Sequence, residues 1–129
     1  AAKAQGKPVL IDFTGFGCVN CRKMEAAVWT DPTVADMLNN QYVLISLYVD
    51  DKTPLAEPVE VSLNGQQRTL RTVGDKWSYL QASKFGANAQ PYYIAIDNDG
   101  RPLNHAYGFK EDVAAYIDYL QQGLNTYRR

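Results

Sequence analysis

Apolar residues along the chain alternate between two spacings, and the changes of spacing mark the elements. Val9, Leu10, Ile11 and Phe13 form a dense run after Gly6, Lys7 and Pro8, which predicts a strand over 9–13 buried on both faces. Gly15 and Gly17 break that strand. From Cys18 the spacing turns helical, with Cys21, Met24, Glu25 and Val28 on one face. Thr30, Asp31 and Pro32 end or kink this helix, and Val34, Met37 and Leu38 predict a short continuation over 33–39. A second strand is expected over 42–49, where Val43, Ile45, Leu47 and Val49 alternate with Leu44, Ser46 and Tyr48.

Residues 51–74 are polar and rich in turn formers, yet Val59, Val61 and Leu63 could face Thr69 and Leu70 across Asn64 and Gly65 as a hairpin. This segment reads as an insertion. A helix is predicted over 75–84, with Trp77, Leu80 and Phe85 inward, then a third strand over 92–96 after Gln90 and Pro91. Asn98, Asp99 and Gly100 turn the chain into an expected fourth strand over 103–107. The last helix, over 111–124, carries Val113, Tyr116, Ile117, Leu120 and Leu124 at amphipathic spacing.

The first two strands, joined through a helix, should be parallel neighbours by a right-handed crossover, and the last two antiparallel. The expected architecture is an α/β three-layer sandwich with a mixed central sheet of about four strands and a hairpin insertion. No repeat or composition break divides the 129 residues, so one domain is expected, with 1–7 as a linker. The abrupt start leads to the expectation of a domain cut from a larger protein.

The 13 basic and 14 acidic side chains leave a formal charge of -1, which lacks the positive footprint of a nucleic-acid or anionic-membrane binder. No apolar run is long enough to cross a bilayer. The 2 cysteines, Cys18 and Cys21, carry the sharpest signal. Cys18 would stand at a helix N-terminus, where unpaired amides and the helix dipole favour a thiolate. Cys21, one turn later, would point back under it and resolve a mixed disulfide. Two inert thiols, a static bridge and half of a zinc site are the competing readings. Zinc fits poorly, because His105 is the sole histidine and a structural site needs four ligands. Neither metal nor cofactor is expected.

Asp12 interrupts the apolar first strand, where an ionised carboxylate would be costly to bury, so enclosure should raise its pKa. It could stand beneath Cys21 and exchange a proton with that thiol, or be an edge residue turned to solvent. Glu25 could add a second carboxylate near the cysteines, or pair at the surface with Arg22 or Lys23. Pro91 could carry a cis peptide, although a trans proline at a strand start is the commoner case. Phe16, Gln90 and Pro91, with Tyr92 and Tyr93, are candidates for surface around the reactive sulfur. His105 reads as structural or exposed.

Phe13 through Cys21, followed much later by a proline before a strand, resembles the thioredoxin superfamily. Lys7 to Glu25, KPVLIDFTGFGCVNCRKME, with WTDP over 29–32 and the Gly108 and Phe109 pair, is similar more narrowly to the C-terminal periplasmic domains of the DsbD family of thiol:disulfide interchange proteins. That resemblance implies a reductase domain, monomeric by itself. It would take electrons from a membrane-embedded dithiol domain of the same polypeptide and pass them to periplasmic thiol-disulfide proteins, including those serving cytochrome c maturation. It implies Cys18 as the exchanging cysteine, Cys21 as the resolving one, Asp12 and Glu25 as the acidic pair that tunes them, and Pro91 as a cis-proline beside the disulfide. Two features depart from the pattern: Gly17 replaces the usual tryptophan before the first cysteine, and 51–74 is longer than the family normally carries. The alternatives are a free-standing cytoplasmic thioredoxin-like reductase of soluble clients, and a non-catalytic interaction module of the same fold.

Overall fold

β1 (Val9–Thr14) runs through the middle of the sheet because it carries apolar side chains, Leu10 and Ile11 among them, on both faces; all its residues but Val9 are buried. β2 (Val43–Tyr48) pairs parallel with one edge of β1, and β5 (Tyr92–Ile96) pairs antiparallel with the other, giving a three-stranded mixed sheet of order β2-β1-β5. The computed structural model describes residues 5–63 and 65–128. Positions 1–4 of the expected linker, and Asn64 of the expected hairpin turn, lie outside the described residues.

The helices are placed by capping chemistry. α1 (Val19–Ala27) starts from Cys18; α2 (Pro32–Asp36) starts from Asp31, whose carboxylate accepts from Thr33 N and Val34 N, and carries Pro32 at its first turn. A π-helical turn, Met37–Gln41, follows and buries Met37 and Leu38. α3 (Val73–Phe85) opens with a capping box between Thr72 and Asp75 and closes on Gly86 in the left-handed region, φ 65. α4 (Val113–Tyr127) starts from Asp112 and buries Tyr116, Tyr119, Leu120 and Leu124.

Strand alternation divides the core into two apolar layers. Leu10 packs with Met24, Val28, Val34, Tyr93, Tyr116 and Leu120, so α1, α2 and α4 cover one face. Ile11, Phe13, Leu47, Ile94 and Ile96 pack with Trp77, Leu80 and Phe85, so α3 covers the other. Each fully buried Leu or Phe here contributes about 1.5–3 kcal/mol relative to exposure. The three-layer sandwich and mixed sheet are as the hydrophobic pattern predicts.

The expected fourth strand is a correction. Residues 102–107 run antiparallel to β5 but join it only through isolated bridges, Tyr93 to Tyr107 and Ile96 to Pro102. Between the bridges, Ile94 and Ala95 of β5 are matched by the longer stretch 103–106 on this segment, so the outer chain bulges and the ladder is interrupted. The preceding turn forms as expected, with Asp97 Oδ1 accepting from Asp99 N and Arg101 N and Gly100 at φ 86.

The insertion does form a hairpin. β3 (Pro54–Leu63) and β4 (Gln66–Thr72) pair antiparallel as a separate sheet, Val59 opposite Leu70 and Val61 opposite Arg68. Gly74 seals its base: a Cβ there would run into Val49 O and come within 2.7 Å of Asp51 N, so α3 begins where only glycine fits.

Candidate redox site

The strand that ends at Thr14 delivers the chain to a tight turn, in which Cys18 N donates to Gly15 O at 3.2 Å. Cys18 then takes extended backbone, φ -84 and ψ 104, and serves as the N-cap of α1. Its sulfur accepts from Cys21 N at 3.2 Å. A sulfur thus occupies the place usually held by a serine, threonine or aspartate oxygen, facing the amides that the helix leaves unpaired. Cys18 and Cys21 are joined as a disulfide with their Cα atoms 5.3 Å apart. Cys18 is half-buried and Cys21 is buried, so an approaching sulfur meets Cys18 first.

Asp12 is enclosed, at 2% exposure, rather than turned to solvent. It shares its face of β1 with Leu10, under α1 and α4, and lies opposite Ser46 and Tyr93 in the sheet. Its Oδ2 accepts from Ser46 Oγ at 3.1 Å, while Oδ1 has no hydrogen-bond partner among the described residues. Burial pushes the carboxyl from 3.8 up to about 7; the Ser46 hydrogen bond opposes this, the Glu25 charge adds to it and the Arg22 charge subtracts. A carboxyl poised near neutrality, with one free oxygen, is equipped to take and return a proton.

Glu25 is half-buried and pairs with Arg22 at 2.9 Å, and Arg22 Nη2 also donates to Thr14 Oγ1 at 3.1 Å. The surface pairing with Arg22 is the one formed, and the Glu25 charge also acts on Asp12, raising its carboxyl. The Gln90–Pro91 peptide is cis. Because Phe13 lies opposite Tyr92, Pro91 stands at the end of the sheet from which the cysteine turn springs. Gln90 Nε2 donates to Gln81 Oε1 at 2.9 Å, and the fully buried Gln81 donates through Nε2 to Ala89 O at 2.8 Å. Phe16 and Val19 are 61% and 66% exposed on either side of Cys18. His105 is exposed and meets the edge of Tyr119, apart from these groups.

Three contributors were absent from the sequence-derived set: Ser46, Gln81 and Asp50. Asp50 Oδ1 accepts from Phe16 N at 2.8 Å and Oδ2 from Gly17 N at 3.0 Å. Its pKa is lowered: some burial pulls the other way, but the Gly17 and Phe16 amides outweigh it. A signal existed in the parallel pairing, which sets Tyr48 beside Thr14 and therefore the next polar residue of that strand beside the turn. A groove of about 680 Å³ between the hairpin and α3, lined in part by Leu63, Leu70 and Tyr79, contains none of these residues.

A three-layer mixed sheet with a Cys-x-x-Cys disulfide capping the first helix and a cis-proline at the same end defines a thioredoxin-type dithiol protein. The family model described as "Thioredoxin-like domain" matches residues 1–123, and the chain belongs to that family. It is 33% identical over 84 residues to Thiol:disulfide interchange protein DsbD 1 of Pseudomonas aeruginosa, an alignment covering 62% of this chain and 14% of that protein. The aligned part is therefore a small fraction of that relative's length. Among solved structures, a DsbH oxidoreductase superposes with TM-score 0.65 at 17% identity, covering 96% of this chain and 76% of the other. The C-terminal domain of Neisseria meningitidis DsbD, in its reduced form, gives TM-score 0.62 at 14% identity over 95% and 86%. These superpositions bear on fold. Together, family, relatives and disulfide make this a thiol-disulfide oxidoreductase-like protein resembling DsbD. Among the described residues no helix is long and apolar enough to cross a membrane.

Proposed function

We propose that this chain is a protein-disulfide reductase domain that relays two electrons by dithiol-disulfide exchange, on the periplasmic side of a bacterial inner membrane. In this reading it is one domain of a larger polypeptide, recharged by a membrane-embedded dithiol domain and discharged onto periplasmic thiol-disulfide proteins. The observation that carries the exchange chemistry is the outer cysteine capping α1 with its own sulfur above a buried partner cysteine. The similarity to DsbD supports the direction and the compartment.

In the forward step the Cys18 thiolate attacks one sulfur of a client disulfide, forming a mixed disulfide and releasing one client thiolate. Cys21 then gives its proton to Asp12, and the resulting thiolate attacks the Cys18 sulfur. The Cys18–Cys21 bond re-forms, the second client thiolate leaves, and the proton held by Asp12 returns through solvent to the released thiols. The client gains two electrons and the cysteine pair loses them. Glu25 works on Asp12 by charge, while Phe16, Gln90 and Pro91 form the surface against which the client backbone lies.

Insulin reduction by the wild type and by Cys18→Ser tests the chemistry. Loss of turnover in the variant is expected, and equal turnover would exclude thiol catalysis. Equilibration with glutathione tests direction. A potential of about -180 mV or higher, in the isomerase range, would overturn the reductase assignment.

A further inference from the structure

The backbone of the turn before Cys18 is gripped by one carboxylate, that of Asp50. We propose that Asp50 is the positioning residue of the redox turn, its carboxylate clamping the Phe16 and Gly17 amides and thereby fixing the backbone that presents Cys18. This rests on the exchange reading above and adds to it a residue on a different element.

Both carboxylate oxygens are engaged, at 2.8 Å and 3.0 Å, by consecutive amides immediately ahead of the cysteine. Asp50 is itself delivered rigidly, because Val49 N donates to Thr14 O at 3.0 Å and extends the β1–β2 pairing up to the turn. Gly15 on the turn makes room for it. A Cβ on Gly15 would meet Asp50 Oδ2 at 3.2 Å and one on Gly17 would meet it at 3.8 Å. Neither glycine is among those with positive φ, so at Gly15 space, rather than backbone conformation, explains the missing side chain. The clamp also has an electrostatic consequence. A negative charge beside the residue preceding Cys18 opposes formation of its thiolate, against the pull of the α1 N-terminus. The charge of Arg22 on α1 lowers the Asp50 carboxyl further, and Asp50 in turn raises that of the neighbouring Asp51.

The test uses Asp50→Asn, whose carboxamide has one acceptor oxygen and turns an N–H toward an N–H, together with Gly15→Ala, which displaces the carboxylate without removing it. Two readouts serve: the pH dependence of Cys18 alkylation in the reduced protein, and the equilibrium with glutathione at pH 7. In Asp50→Asn the alkylation midpoint is expected to move to lower pH, and the equilibrium to shift by about threefold toward the dithiol, since a stabilised thiolate makes the pair more oxidising; Gly15→Ala, which keeps the charge and only pushes it away from the turn, is expected to move both in the same direction by less. Midpoint and equilibrium unchanged in folded variants would overturn the proposal. Should Asp50→Asn not fold, Gly15→Ala decides by the same readouts. Failure of the underlying reading is separately visible, as absence of exchange in the wild type or its persistence in Cys18→Ser.

Discussion

Two aspartates, one in β1 and one just past β2, are tuned in opposite directions. Asp12 lies inside the sheet, with a single side-chain hydrogen bond and one unpartnered oxygen among the described residues; its carboxyl rises to about 7. Asp50 lies on the rim, exposed, with both oxygens filled by backbone amides; its carboxyl is held below 3.8. The same side chain thus keeps its proton to near neutrality where it is dry and under-bonded, and is a fixed charge where it is wet and fully bonded. Burial decides the first case, and hydrogen bonding to the ionised form decides the second.

The strongest way to break this contrast is Asp12→Asn. Exchange at pH 7 is expected to slow by about 10²-fold, the usual scale for losing a positioned acid-base group. Stability should move the other way. Unfolded, the carboxyl titrates near 3.8; folded, it keeps its proton to about 7. Between those values the native state binds more protons than the unfolded state, so stability falls as pH rises through that window and levels off above it. The variant escapes this loss and should be more stable than wild type at pH 8 by up to about 4 kcal/mol, the difference vanishing below pH ~4. Chemical denaturation at both pH values, alongside stopped-flow exchange, reads both effects. An unchanged rate would place the carboxylate outside the mechanism, and an unchanged pH dependence would mean that it is not dry.

Ser46→Ala sharpens the contrast by taking away the one hydrogen bond Asp12 has. The hydroxyl favours the ionised carboxylate, so its loss should carry the Asp12 midpoint above 7 and destabilise the ionised form by about 1 kcal/mol. Carboxyl carbon NMR follows that midpoint directly in the oxidised protein. A midpoint that stays put, or falls, would show that water has replaced the hydroxyl. Ser46→Thr, which keeps the donor, should restore the wild-type value.

Much of the Asp12 environment was legible in the sequence. An aspartate in an apolar strand, six positions before the first cysteine, announces a buried carboxylate because strand period and residue type disagree there. The cysteine spacing and the strand-to-helix change fixed the cap. The rim was not legible in the same way. Asp50 acts across the β1–β2 pairing, on a turn 33 and 34 positions earlier in the chain, and a polar pair at a strand end reads locally as solvent-facing loop. Gln81 was hidden for a related reason: it is a polar residue on a buried helix face whose partners, Ala89 and Gln90, lie in the next loop. The expected fourth strand failed because alternation over 103–107 carries no mark of the two additional residues that bulge it away from β5. Local pattern reports period and burial; it does not report which distant backbone a side chain will satisfy.

The smallest expected effect tests whether the rim behaves as one unit. Phe16 stacks on Tyr48, ring centroids 4.1 Å apart and planes 16° apart, so β2 holds the turn by a ring as well as by the Asp50 carboxylate. Tyr48→Ala should cost about 1 kcal/mol of stability from the lost aromatic pair. In an Asp50→Asn background the same change should cost less by about 0.5 kcal/mol, because a turn freed from its amide bonds must already lose conformational freedom to keep Phe16 seated. The double-mutant cycle therefore has a sign as well as a size. Additive losses would mean that ring and carboxylate grip independently, and the turn would then owe its shape to its own Gly15–Cys18 hydrogen bond rather than to the end of β2.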